Sequence, residues 1–110
     1  MSREHRFKFQ SDEWRLFGSA LGQVLHGFNV PDFEHVIGLD KVTVQKLLTR
    51  VQAINDADEI TLGTAEIIAV RNALRETVRE LGAEEFHTRT GYDFEVGKTM
   101  LAKLNGLLSG

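Results

Sequence analysis

Apolar residues recur along most of this chain at intervals of three and four, the spacing that places side chains on one face of an α-helix. In the first half these stripes comprise Trp14, Phe17, Leu21, Val24, Leu25 and Phe28, and then Val44, Leu47, Leu48, Val51 and Ile54. In the second half they comprise Ile67, Val70, Leu74, Val78 and Leu81, and then Met100, Leu101, Leu104 and Leu107. A short segment around Phe33 or Phe86 lies between the two stripes of each half. The pattern predicts three helices in each half, with their apolar faces in the core.

Two short segments alternate between polar and apolar residues instead. Residues 6–9 and 59–62 each carry an apolar side chain at every second position, which is the period of a β-strand. Both segments are too short to be stable alone. We therefore expect the two strands to pair with each other across a pseudo-twofold axis and to cover the helices.

The two halves resemble each other at an offset of 53 residues. Residues 32–51 placed over residues 85–104 without a gap align Phe33 with Phe86 and Gly38 with Gly91. The sequence therefore predicts a mainly α fold, built by tandem duplication of a β-α-α-α unit. The repeats span approximately residues 6–57 and 59–110. They share one core in a single domain of residues 1–110, because a chain of this length cannot bury two independent cores.

The residues between the stripes predict where the helices begin and end. We expect helix N-caps at Ser11, Asp40, Thr64 and Asp93, since short polar side chains accept hydrogen bonds from the first amides of a helix. Pro31 suits the first position of a new helix. The long helix of the second half should stop at Gly82. Gly38 and Gly91 should adopt the left-handed conformation that often ends a helix.

Composition narrows the class of protein. The chain is 42% hydrophobic and 26% charged, with a formal net charge of -3, which is typical of a globular protein and argues against general attraction to nucleic acid. It contains no cysteine, no apolar run near the ~20 residues that cross a bilayer, and no signal-peptide core after its N-terminus. We expect a cytoplasmic protein without a membrane association.

One motif resembles a known family. Gly38 at a turn, Asp40 as a cap and Val44, Leu47 and Leu48 behind it resemble the helix-turn-helix unit of many bacterial DNA-binding proteins, over about twenty residues. The resemblance implies that a helix from Asp40 to Ile54 enters the major groove. The residues that it implies as DNA contacts are Lys41, Thr43, Gln45, Lys46, Thr49 and Arg50. Two helices that only pack together show the same pattern, so both interpretations stay open.

Comparison of the halves indicates a second candidate surface. Glycine inside a helix costs roughly 1 kcal/mol relative to alanine, so Gly18 and Gly22 on one face indicate close approach of another helix of the chain, a partner protein or a second subunit. At the matching positions the second half carries arginines four residues apart, which form either a solvated face or a site for an acidic partner. The predicted protein contacts are Gly18, Gly22, His26, Arg71, Arg75 and Arg79.

Support for catalysis is weaker. The four histidines are scattered, and neither a paired metal-binding spacing nor a glycine-rich phosphate loop occurs in the sequence. Glu85, His87 and Arg89 are close in sequence, but residues two apart on a helix point to different faces. We therefore expect no catalytic residues, no metal and no cofactor.

These observations favour a non-enzymatic protein. The pairs Ala20-Leu21 and Ala73-Leu74, each followed by a phenylalanine and a turn glycine, resemble features of small helical proteins common in bacterial genomes. We expect a protein-interaction module, such as an adaptor, an inhibitor or an immunity-type protein, that binds a partner protein or a second copy of the chain. The alternative is a helix-turn-helix transcriptional regulator that binds DNA.

Overall fold

A computed structural model describes residues 9–53 and 62–109, and 83% of these residues are helical. The first half contains α1 (Ser11–Gly22), a π-helical turn (Gln23–Gly27), α2 (Phe33–Ile37) and α3 (Lys41–Gln52). The second half contains α4 (Thr64–Thr90) and α5 (Phe94–Ser109). The prediction of a mainly α fold is therefore confirmed.

The predicted β-α-α-α unit with paired strands is wrong. Residues 9–53 and 62–109 contain no β-strand, and Leu62 forms only an isolated bridge. Residues 6–8 and 59–61, on which the prediction mainly rested, lie outside the described residues. An alternation over four residues is a weak signal, because a single apolar side chain such as Phe9 or Leu62 can join a helical core without a sheet.

Helix starts follow the 53-residue offset, although two of the caps differ from the prediction. α1 begins at Ser11 and α4 at Thr64, so the N-caps are Gln10 and Gly63. The Gln10 amide donates to Glu13 Oε1 at 2.8 Å, and the Gly63 amide donates to Glu66 Oε1 at 3.0 Å. A glutamate on the third helical residue satisfies the cap amide here, and this half of a capping box needs no hydroxyl at the cap itself.

Several predicted breaks occur where expected. Gly38 and Gly91 have φ values of 103° and 79°, so both end helices in the left-handed conformation, as predicted. Gly82 interrupts α4 with a φ of 69°. Asp40 is the N-cap of α3, but its side chain makes no capping hydrogen bond. The helix start predicted at Pro31 is wrong, because α2 begins only after a left-handed residue at Asp32.

The predicted stripes form one core. Side chains from α1, α3 and α4 make up most of it, and Phe9, Trp14 and Phe17 pack edge to face at its N-terminal end. Leu107, predicted to be buried, is 40% exposed, because Leu108 instead continues the face of α5 on which Leu101 and Leu104 pack against the core. Ile54 lies outside the described residues.

Two ion pairs connect the halves at equivalent positions. Lys103 Nζ lies 2.6 Å from Glu13 Oε2, which joins α5 to the start of α1. Arg50 pairs with Glu66, which joins α3 to the start of α4. Both partners of the second pair are related to those of the first by the 53-residue offset. The internal duplication stays a prediction.

Across residues 9–53 and 62–109, no helix is both long enough and apolar enough to cross a bilayer.

Tyr92, the single tyrosine of the chain, gives a spectroscopic prediction. Its hydroxyl donates to the Asp12 carbonyl at 3.2 Å. Burial, and secondarily the Asp12 carboxylate, raises the pKa of Tyr92 above its ordinary 10.0, although Arg15 acts in the opposite direction. We expect the ultraviolet absorbance of tyrosinate to appear at a higher pH in the folded protein than in the protein unfolded in guanidinium.

The same shift makes stability depend on pH. The unfolded chain loses the Tyr92 proton first, so this contribution to stability is complete below the ordinary pKa and declines as pH rises through the folded one. Tyr92→Phe should remove the absorbance change and this part of the alkaline decline. A folded midpoint at or below 10.0 would contradict the prediction.

Candidate functional site

The arginines predicted to contact a partner are largely engaged within the chain. Arg75 Nε and Arg79 Nη2 lie 3.2 and 3.0 Å from the carboxylate of Glu76, a buried residue. Arg75 Nη2 also donates to the Val36 carbonyl at 3.4 Å, at the end of α2. Arg75 therefore helps to hold α2 on α4.

Arg71 is held by two amides. Its Nε donates to Asn72 Oδ1 at 2.7 Å, and its Nη1 donates to Asn105 Oδ1 at 3.1 Å on α5. Arg71 is half-buried between α4 and α5. It therefore exposes less of its charge to solvent than an arginine on a fully solvated helix face would. Arg71, Arg75 and Arg79 thus have evident structural roles.

The two predicted contact glycines differ in their surroundings. A Cβ atom on Gly18 would lie 3.5 Å from Val51 Cγ1, so α3 of the same chain packs there. A Cβ atom on Gly22 would have nothing within 4 Å. His26, the third member of this set, is exposed at the end of the π-helical turn. Of these three residues, Gly22 and His26 therefore remain open to solvent, whereas Gly18 is covered by α3.

The residues implied as DNA contacts all lie on the exposed face of α3. Two of them form an ion pair or a hydrogen bond within the chain. Arg50 pairs with Glu66, and the Thr49 hydroxyl donates to the Gln45 carbonyl at 3.0 Å. The others, Lys41, Thr43, Gln45 and Lys46, occupy the N-terminal half of α3. α2, which precedes them, is only five residues long.

One of the predicted protein contacts, His26, and three of the implied DNA contacts line one groove between the π-helical turn and α3. This π-turn groove has a volume of about 440 Å³ and is lined by Leu25, His26, Lys41, Val42, Gln45 and Lys46. Leu25 and Val42 supply apolar walls, and the longer polar side chains form the rim. Val42 is 62% exposed, which is the largest exposure of any large apolar residue among those described. The groove is shallow and open to solvent, so it suits a macromolecular segment better than an enclosed small molecule.

α4 fixes the π-helical turn from behind. Arg89 Nη1 donates to the Gly27 carbonyl at 2.8 Å and to Gln23 Oε1 at 3.4 Å, while its Nε donates to Glu85 Oε2 at 3.0 Å. A Cβ atom on Gly27 would overlap the Gln23 side chain, so glycine allows that side chain to fold over the turn. π-helical segments are frequent at functional sites. Here the turn sets the position of Leu25 and His26.

Sequence reasoning missed Val42. It lies between two residues implied as DNA contacts, but it is apolar and does not belong to the buried stripe of α3. A β-branched apolar residue on an otherwise polar helix face was the available signal. Its place in the groove follows only from the structure, because Leu25, the other apolar lining residue, belongs to the π-helical turn.

A second, smaller hollow lies on α5. It has a volume of about 280 Å³ and is lined by Glu95, Val96, Thr99, Met100 and Lys103. Its charged groups already have partners, because Lys98 Nζ lies 3.4 Å from Glu95 Oε1 and Lys103 pairs with Glu13. Both charged residues that line this hollow, Glu95 and Lys103, are therefore already in ion pairs.

The groups considered for catalysis do not converge. Glu85 and Arg89 form an ion pair, whereas His87 lies 4.0 Å from Asp93 on a different side. His35 and His87 are exposed, and neither lines the π-turn groove or the α5 hollow. No group of three or more histidine, aspartate or glutamate side chains is arranged to hold a metal ion within the described ranges.

The chain matches no protein-family model, no curated protein and no solved structure.

Proposed function

We propose that the protein is a non-enzymatic interaction module that binds a segment of a partner protein in the π-turn groove. The observation that supports this most directly is Val42, which stands 62% exposed beside Leu25 in an open groove. An apolar centre with a polar rim is the usual layout of a protein-binding interface. The absence of cysteine fits a reducing compartment, which supports a cytoplasmic location.

The apolar walls favour a protein over DNA as the occupant. A duplex would meet the rim through its phosphates and would leave Leu25 and Val42 with little to contact. A protein segment can bury an apolar side chain between them. The engagement of Arg50 by Glu66 also removes one cation from the face that would contact DNA.

A displayed library of random 12-residue peptides tests the proposal. Peptides selected on the unmodified protein should bind Val42→Ser about tenfold more weakly or worse, because burying a valine is worth about 1.5–3 kcal/mol. Val96→Ser is the matched control, since Val96 is an exposed valine on α5. The control should bind like the unmodified protein, and both variants should remain folded.

Two results would overturn the proposal. The first is a set of selected peptides whose binding is indifferent to Val42→Ser. The second comes from titrating random-sequence duplex DNA at low and at 200 mM salt. DNA binding that weakens steeply with salt, is lost in Lys41→Glu/Lys46→Glu and survives Val42→Ser would replace the proposal by the helix-turn-helix alternative.

A further inference from the structure

We infer that the segment that occupies the π-turn groove is acidic: it inserts one apolar side chain between Leu25 and Val42 and places carboxylates beside Lys41 and Lys46. This inference rests on the proposed function, and it adds the chemistry of the partner. It depends on how the charges of the whole described surface are paired.

Cations without a carboxylate partner are concentrated at the groove. Lys41 and Lys46 have no carboxylate within 4.0 Å among the residues that the structure describes. Every other described lysine or arginine has one, except Arg71, which is held by two asparagine amides. The chain has more acidic than basic residues, so two unpaired lysines at the rim of one groove are a specific local feature.

Lys41 is placed where a positive charge is unfavourable. It is the first residue of α3, at the positive end of the helix dipole. Its Nζ lies 5.6 Å from the centroid of the Phe33 ring, and no ion pair joins it to the neighbouring Asp40, which is exposed. A carboxylate from a partner would therefore find both a lysine and the helix N-terminus to interact with.

The positions of the two lysines limit where the partner's carboxylates can lie. Lys46 follows Lys41 by five residues, which places the two about 7.5 Å apart along α3 and about 140° apart around it. The lysines therefore lie on either side of Val42 and Gln45, which also line the groove. The partner's carboxylates must accordingly lie on both sides of the apolar side chain that enters the groove.

The α5 hollow differs from the π-turn groove in how its charges are paired. The charged residues that line the α5 hollow, Glu95 and Lys103, are already paired with Lys98 and Glu13. An acidic segment would have to break one of those pairs to bind there. The charge pattern therefore distinguishes the π-turn groove from the α5 hollow.

The test uses the peptide from the library whose binding depends most strongly on Val42. Its affinity is measured by calorimetry at 50 and 300 mM salt, together with that of a version in which every aspartate and glutamate is replaced by its amide. We expect Lys41→Gln/Lys46→Gln to weaken binding of the acidic peptide about threefold to thirtyfold, as two partly exposed ion pairs would. Salt should also weaken it.

The amide version should bind weakly and should show no difference between the unmodified protein and the double variant. Lys98→Gln is the matched control, because it removes a lysine that is already paired, and it should leave affinity unchanged. If a Val42-dependent peptide and its amide version bind with equal affinity, this inference is overturned and the proposed function stays in place. If the binding of no selected peptide depends on Val42, both this inference and the proposed function are overturned.

Discussion

Gly97→Ala should destabilise the protein by about 1–3 kcal/mol, the usual cost of forcing an extra group into a packed core. A Cβ atom on Gly97 would overlap Phe86 Cζ and would lie 3.0 and 3.1 Å from the two adjacent ring carbons. Phe86 is fully buried and packs edge to face on Phe94, with ring centroids 5.7 Å apart. The ring therefore has little room to move away. The measurement is the free energy of unfolding from urea titration followed by circular dichroism.

Gly106→Ala is the matched control on the same helix. A Cβ atom there would have nothing within 4 Å, so alanine should stabilise α5 by about 0.4–1 kcal/mol. The two identical substitutions are thus expected to have opposite signs. Phe86→Ala should itself cost about 3–5 kcal/mol, and adding Gly97→Ala to it should cost much less than in the unmodified protein. Equal stabilities of Gly97→Ala and Gly106→Ala would show that the Phe86 ring yields.

Asn72→Ala should destabilise the protein by about 1–3 kcal/mol, because it leaves a buried carbonyl without a donor. Asn72 Nδ2 donates to the Ile37 carbonyl at 2.8 Å, just before the turn at Gly38. A helix as short as α2 depends on such tertiary contacts. Hydrogen exchange should report this locally, since the Gly38 amide, which donates to the Glu34 carbonyl at 2.8 Å, should lose protection.

Asn105→Ala provides the comparison for Asn72→Ala. Asn105 is the other amide that accepts from Arg71, but it is exposed on α5. Its replacement should change the free energy of unfolding by no more than about 0.5 kcal/mol. If the two variants were equally stable, the hydrogen bond to Ile37 would have no measurable role in holding α2.

The features that sequence reasoning located correctly are local ones. Trp14, Phe17 and Leu21 repeat with the helical period over several turns, and their burial follows from that repetition. The left-handed conformation of Gly38 and Gly91 could be predicted because a left-handed glycine often ends a helix. The strands predicted at residues 6–9 and 59–62 rested on too few residues to distinguish a sheet from isolated apolar side chains.

The features that it missed depend on residues far apart in the chain. Arg75 bonds to the Val36 carbonyl 39 residues away, and nothing in the spacing of the arginines indicates that partner. Gly97 is explained only by the position of Phe86. For the candidate site, Lys41, Gln45, Lys46 and His26 were each singled out, but their convergence around Leu25 and Val42 required the π-helical turn.

The ion pairs between the halves have a consequence for folding order. Arg50 and Glu66 are 16 residues apart, whereas Glu13 and Lys103 are 90 residues apart. Closing the longer loop costs about 1.5 kcal/mol more in chain entropy by the logarithmic dependence on loop length. We expect the α3–α4 contact to form early and the α1–α5 contact to form last. The two pairs occupy equivalent sequence positions, but they should form at different stages of folding. The first should form early, and the second should join the N-terminal and C-terminal helices last.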